Sequence, residues 1–306
     1  MYPEYEMKQK KSVNKSAVVR IVIWSVVLAI LVGAFVCAMI FEGDNVMFGI
    51  HINVSGYKYD DADSYRVGGG ESTDAITALD INWIDGSVDI VAVDGDKITI
   101  SETYDGEDED KRLRWKVENG KLTVKYCKSG RLTATKKSLN KQLTVEVPRA
   151  MLESMSTVDV ELVSADLNLR GVKANEMDVE SVSGKIMIEG TITELGIETV
   201  SGDLDLVGYI ERANIEGVSA TLKTTLLNDW ATLDIETVSG NIEVYLPEST
   251  TTGFEAIMDA VSGSIQVEGF DDLTQKKSYC RYGDGGIRMN VDAVSGNLKI
   301  RKIPTE

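Results

Sequence analysis

Histidine is almost missing from this 306-residue chain, with His51 its one example. A serine repeated without a histidine base is not a nucleophile design, so the chain lacks the ordinary apparatus of a serine hydrolase. Cysteine is nearly as scarce: Cys37, Cys127 and Cys280 are too few and too scattered for a disulfide framework or a zinc-type ligand cluster. A single bridge between Cys127 and Cys280 stays open. Positive charge is also short. Against 49 Asp and Glu stand 32 Lys and Arg, a net charge of −17. A body this acidic repels phosphate backbones, which excludes nucleic acid as an unaided partner. Nothing in the composition calls for a cofactor.

Long apolar runs are absent with one exception. Ile21–Phe41 is 21 residues without a charge, long enough at about 1.5 Å per residue to cross a ~30 Å hydrocarbon core. Lys8, Lys10, Lys11, Lys15 and Arg20 precede it, against Glu4 and Glu6. The positive-inside rule makes residues 1–20 a cytoplasmic basic tail, 21–41 one transmembrane helix, and the remainder extracytoplasmic. The expectation is a single-pass protein of the cell membrane. Cleavage near Val36 and Ala38 is the competing reading, but the run is longer than a signal-peptide core, which favours an uncleaved anchor. A lipoprotein at Cys37 is excluded because Val36 stands where a small residue is wanted. Beyond the anchor the charge nears −20, since residues 1–41 carry five basic and two acidic groups. His51 falls just past the anchor, as solvated linker.

What is present is repetition. Val163-Ser164-Ala165, Val182-Ser183-Gly184, Val200-Ser201-Gly202, Val218-Ser219-Ala220, Val238-Ser239-Gly240, Val261-Ser262-Gly263 and Val294-Ser295-Gly296 are seven copies of one phrase, their serines 19, 18, 18, 20, 23 and 33 residues apart. A period near 20 is the mark of stacked units that bury their apolar edges only against neighbours. Three residues before each Val stands Val160, Val179, Ile197, Ile215, Ile235, Met258 or Val291. Four after it comes Leu167, Ile186, Leu204, Leu222, Ile242, Ile265 or Leu298, and six after it Leu169, Ile188, Leu206, Thr224, Val244, Val267 or Ile300. Polar residues fill the gaps. Alternation of period two on both sides makes each repeat two short strands with one dry face, and the Gly or Ala after Ser supplies the bend. Hairpins would satisfy this pattern too, but like residues at matching positions favour parallel stacking. The expected fold is all-β: a parallel β-helix or β-solenoid of two-strand rungs of ~18–20 residues, preceded by one transmembrane helix.

Two columns follow from that stacking. Serines one rung apart are expected to hydrogen-bond along the axis and satisfy one another at a corner. Two residues before each Val sits an acid, Glu161, Glu180, Glu198, Glu216, Glu236, Asp259 or Asp292. Between inward apolar positions these acids point outward in a row, where like charges oppose each other. The row is either a solvated face or a site for a divalent cation or a basic peptide, and it lacks the loop of converging oxygens usual for calcium. The motif valines are less determined. Strict alternation puts them outside, whereas a corner that resets the phase turns them in. The inward placement is favoured, because a long exposed apolar stripe invites aggregation.

Residues 42–74, with Gly68-Gly69-Gly70, read as a juxtamembrane linker. Residues 75–148 read as a divergent first rung and a capping β-block. Asp85 stands there in the serine position, Asp105–Asp110 is a solvated acidic loop, and Asn119-Gly120 joins a hairpin over Trp115–Lys125. Residues 149–306 are the regular repeats, ending at Lys302-Ile303-Pro304 with little to cover the last rung. The widest gap holds an insertion, Asp271–Gly286, whose Lys276, Lys277, Tyr279, Arg281 and Tyr282 form a candidate binding loop or a plain hairpin excursion.

The phrases Glu198-Thr199-Val200-Ser201-Gly202-Asp203-Leu204, Leu143–Pro148 and Gly285-Gly286-Ile287 through Leu298 resemble the putative-adhesin β-strand-repeat proteins of Gram-positive bacteria, a family named as a domain of unknown function. The resemblance covers roughly 75–302, departing at Ala165, Ala220 and the stretched last repeats. It implies a β-solenoid displayed at the cell envelope, tied to adhesion or envelope stress, with no catalytic residues to carry over. The expected function is therefore a membrane-anchored, non-catalytic, adhesin-like interaction protein, its partner an envelope component, a basic peptide or a membrane protein. A sensor variant has only a short cytoplasmic tail to signal through. Alternatives are a self-assembling envelope scaffold and a polysaccharide-acting β-helix enzyme, which would need carboxylates and basic groups gathered in a cleft.

Overall fold

A period-two pattern obliges the chain to form strands, and a repeat of fixed length obliges those strands to stack. A computed structural model of the chain describes residues 43–47, 50–54, 57–104, 106–130, 139–247 and 252–303. The basic tail and Ile21–Phe41 lie outside the described residues. Among the described residues no helix is long and apolar enough to cross a membrane.

The strands in chain order are β1 (Gly43–Met47), β2 (Ile50–Val54), β3 (Arg66–Val67), β4 (Gly70–Ser72), β5 (Ala78–Val93), β6 (Ile98–Glu102), β7 (Arg114–Glu118), β8 (Lys121–Lys125) and β9 (Gln142–Pro148). After a single turn of helix at Arg149–Leu152 come β10 (Met155–Ser183), β11 (Lys185–Leu226), β12 (Ala231–Leu246), β13 (Phe254–Glu268), β14 (Thr274–Lys276), β15 (Tyr279–Tyr282) and β16 (Ile287–Lys302). β1 and β2 form a separate antiparallel pair. The rest belong to one sheet system in which β5, β10, β11, β12, β16 and β13 pair in parallel.

The parallel register sets like on like. Leu167 lies beside Ile186, Glu180 beside Glu198, Ser219 beside Ser239, and Ser239 beside Ser295. β10 and β11 are long because the chain runs through the corners without leaving the ladder. Asp85 and Gly86 align with Ser164 and Ala165, so the divergent phrase near residue 85 is a rung in register with the repeats. A further rung is assembled from two pieces: β8 runs parallel to the first half of β5 and β9 to the second. Nine layers at about 4.8 Å make a rod of ~38 Å. The columns three residues before, four after and six after the motif Val are buried almost throughout and form one continuous core.

The rungs do not stack in the order of the sequence. β12 pairs with β16, and β16 pairs with β13, so the seventh repeat lies between the fifth and the sixth. The repeat phrases are interchangeable in register: Ser295 lies beside Ser239 on one side and Ser262 on the other. Consequently the last repeat of the sequence is not the open end of the rod. The insertion has a structural job, because β15 runs antiparallel along Phe254–Ile257 and β14 along β15. Within 42–74, Tyr57 is buried, and β3 and β4 pair with β7 and β6 in the cap, so this stretch is more than a spacer. The Asn119-Gly120 turn joins β7 to β8 with both residues at positive φ (51° and 75°), as a tight hairpin between right-twisting strands requires.

Aromatic side chains plug both ends of the core. At the start, Trp83 meets Tyr126 edge-on at 4.9 Å. At the far end, Phe254, Phe270 and Tyr282 form a triangle with centroids 5.0 to 5.8 Å apart. Cys127 belongs to the first cap and Cys280 to the second, so the two thiols are free and buried at opposite ends of the rod rather than bridged. Burial raises their pKa to about 12 and about 11, which leaves both as unreactive thiols at neutral pH.

Candidate functional site

The outer surface of the first strand of each rung is built by alternation alone. Where residues −3 and −1 from the motif Val point into the core, residues −2 and 0 must point out. The acids therefore stand in a column along the rod. Its order in space is Asn82, Glu161, Glu180, Glu198, Glu216, Glu236, Asp292, Asp259. Asn82 donates its side-chain amide to Glu161 and closes the column at one end. Among the described residues none of the seven acids forms an ion pair with lysine or arginine. Burial, then neighbouring carboxylates, raise the pKa of Glu180, Glu198, Glu236 and Asp292 above the ordinary carboxylate value. Asp159, in the next outward column, is raised in the same way by burial, with Asp80 and Asp178 as its charged neighbours.

The valines contradict the inward placement. All seven stand on the outer surface beside the acids, Val163 also touching the core. The inward phase does shift within the motif, from −3 and −1 before Val to +4 and +6 after it, but the shift comes after Val. Stacking explains why the stripe is tolerated. Each Val covers the next one rung away, so six of the seven are half-buried. Val261 is 62% exposed because its rung is the outermost and has a neighbour on one side only.

The serine column also differs from expectation in its bonding. Ser183 donates to Val163 O at 3.3 Å, Ser201 to Val182 O at 3.4 Å and Ser239 to Val218 O at 3.5 Å. The hydroxyls thus bond the backbone one rung back rather than one another. A second hydroxyl column, Ser181, Thr199 and Thr237, lies inside the corner and donates to the carbonyl two residues on, at 3.3, 3.3 and 3.2 Å. Alternation from the buried position two residues earlier identifies these positions as inward.

The insertion sets Lys276 opposite Tyr279 across the β14–β15 pair, while Tyr282 and Arg281 are engaged elsewhere. Tyr282 stacks on Phe254, and Arg281 folds back onto the carbonyls of Gly283 and Asp284 at 3.3 and 2.9 Å. Lys276 and Lys277 remain exposed and Tyr279 is half-buried. The sequence reading also missed Lys141. Its ammonium is fully buried, paired with Glu102 at 2.8 Å, and donates to Lys111 O at 2.9 Å and to Tyr126 O. It sits over the rings of Trp83 and Tyr126 at 4.8 and 4.1 Å, and burial lowers its pKa. All three of its protons are used, which makes it a staple of the cap. Asp85 supports the same region, accepting from Tyr126 Oη and from Leu139 N at 3.0 Å.

Chemically, the acid column supplies one carboxylate per rung and no convergent cluster. Among the described residues no group of three or more His, Cys, Asp or Glu is arranged to hold a metal ion. What the face offers is a negative rail with an apolar rail beside it, both at the rung spacing.

The family model Toastrack DUF4097 matches residues 76–301. No curated protein matches the chain. Among solved structures, a putative adhesin from Bacteroides fragilis is 13% identical, with 78% of this chain and 97% of that one covered and a TM-score of 0.44. A putative cell adhesion protein from Clostridium sporogenes is also 13% identical, covering 78% of this chain and 100% of its own at a TM-score of 0.36. A putative lipid binding protein from Parabacteroides distasonis has the same identity and share of this chain, 97% of its own, and a TM-score of 0.35. Identities and scores this low assign no property to this chain.

Proposed function

This chain belongs to the Toastrack DUF4097 family, and from that premise we propose that it is a non-catalytic interaction protein whose outer acid–valine face binds a basic, partly apolar partner. The observation that carries this reading is the column of seven acids without basic partners among the described residues, running beside a column of half-exposed valines. Opposed like charges are unfavourable unless something compensates them. A segment with alternating Lys or Arg and aliphatic residues would match both rails. Partners of that chemistry are a basic peptide, the basic segment of a membrane protein, or a cationic component of the envelope.

In this proposal Ile21–Phe41 anchors the chain in the cell membrane with residues 1–20 in the cytoplasm, and the rod stands outside in an adhesin-like or stress-related role. Rigidity suits presentation: every rung but the outermost β13 is paired along both sides, so the rails keep their spacing without a ligand. No nucleic acid and no cofactor enter the proposal.

Calorimetric titration of the full chain with a peptide of alternating Lys and Val tests it. A saturable heat is expected, weaker with a Lys–Ser peptide, and lost when Glu198, Glu216 and Glu236 are all changed to Gln. Absence of heat from the wild type, or equal heat from the Gln variant, would contradict the proposal.

A further inference from the structure

The two ends of the rod are closed to different extents. At the start both halves of the outermost rung are covered by antiparallel strands, β7 along β8 and β6 along β9. At the far end the outermost rung is β13, and β15 covers only Phe254–Ile257 of it. Next to that pairing, Met258 N donates to Ser278 O at 3.0 Å. Farther along, Gln275 Nε2 donates to Ile265 O at 3.0 Å. Among the described residues no strand pairs with the outer edge of Ser262–Glu268.

That edge lacks the usual protections. Open strands are normally blunted by lysine, proline or a bulge. Ser262 through Val267 include neither lysine nor proline, nor any other charge, and Glu268 at the end of the edge is neutralised by Lys299 and Arg301 at 3.3 and 2.9 Å. The far end is also free of the acidity of the middle rungs, where residues 150–251 carry 19 acidic and five basic residues. Residues 252–303 contain seven acidic and seven basic residues and are neutral, in a chain whose net charge is −17. Long-range repulsion between two copies is therefore least when these ends approach each other.

We propose that Ser262–Glu268 is a self-association edge, through which two copies pair antiparallel, end to end, about a twofold axis at Ile265, the main chain of the second copy displacing the Gln275 amide from Ile265 O. In this register Ser264 of one copy faces Gln266 of the other, and both side chains lie on the outer surface. The contact is isologous and closes at two, because each copy uses its one edge on the other. Seven residues a side make a small interface, in the range of weak, reversible association. The pairing does not depend on the acid–valine face and leaves that face uncovered.

Sedimentation equilibrium of the detergent-solubilised full chain, across micromolar concentrations, tests the proposal. A reversible monomer–dimer equilibrium without larger species is expected. The double variant Ser264→Lys/Gln266→Lys, which sets lysines opposite one another, should weaken dimerisation at least ten-fold while keeping the wild-type melting temperature. The variant Ser264→Glu/Gln266→Lys, which pairs unlike charges twice across the axis, should restore it. A wild type that stays monomeric, a dimer indifferent to the paired lysines, growth beyond the dimer, or a Glu/Lys variant no better than Lys/Lys would each overturn the proposal.

Discussion

Thr224 occupies a core position that holds Leu, Ile or Val in the other six repeats. It is 1% exposed, and its hydroxyl has no hydrogen-bond partner among the described residues. A buried hydroxyl without a partner costs about 1–3 kcal/mol, and valine has nearly the same shape without that polar group. Thr224→Val is expected to stabilise the protein by about 1 kcal/mol, which for a body of this size raises Tm by roughly 2–4 °C in calorimetry. Gly202 illustrates the opposite constraint. Its φ is +144°, and a Cβ there would lie 2.1 Å from Gly184 O. Gly202→Ala should destabilise by about 2 kcal/mol in denaturant titration. Ala165 and Ala220 hold the same place in the motif without positive φ, so Ala165→Gly should cost under about 1 kcal/mol. The motif alone does not distinguish these copies, since the difference lies in the backbone path around the corner. Lys141 was illegible for a related reason. A lone lysine before a strand resembles any solvated lysine until the cap folds over it.

Among the elements, strand type, rung length, hairpin turn and parallel register were legible, because alternation, spacing and turn chemistry all depend on neighbouring residues. Rung order was not. Any copy of the phrase satisfies its neighbour equally well, so the sequence contains little local information about which copy lies beside which. Its trace is the 33-residue spacing before Ser295, long enough to carry the chain past one rung and back. Paired cysteines decide the order directly. Glu243→Cys with Lys299→Cys, which are register partners, should form a disulfide identifiable by peptide mass mapping. Glu243→Cys with Gln266→Cys, two rungs apart, should not. The acid column makes a prediction at the same scale. Glu180, Glu198, Glu236 and Asp292 have folded-state pKa values above their unfolded values, so the folded form holds their protons more tightly. The stability this gives is fully present below the unfolded value of 4.5 for the glutamates and is lost as pH rises through the raised pKa values. Melting temperature should therefore rise as pH falls from 7 towards the upper edge of that window, and salt at pH 7 should raise it by screening the column. Glu118 and Glu268, lowered by lysine and arginine neighbours, act in the opposite sense, but both are fully exposed. Glu198→Gln at pH 7 should remove most of its share of the pH effect.

For the whole molecule, the chain alternates two kinds of surface along one rigid axis. The long side carries the acid and valine rails, and the far end is neutral with an uncovered strand. The acid column could be read in full from the sequence, because it follows from alternation. The valine column could have been read too, had the alternation been carried as far as Val and the phase shift placed after it. The open edge could not, since it depends on which rung lies outermost. The central claim is that the acids act as an ordered rail and not merely as net charge. Its most direct test is the affinity of a Lys–Val peptide for variants in which Glu180, Glu198, Glu216 and Glu236 are changed to Gln one rung at a time. Affinity should fall in similar steps with each rung removed, and should hold when Asp203, Asp205 and Asp229 are changed to Asn instead. Equal losses from the two sets would show that only overall charge matters and would contradict the account.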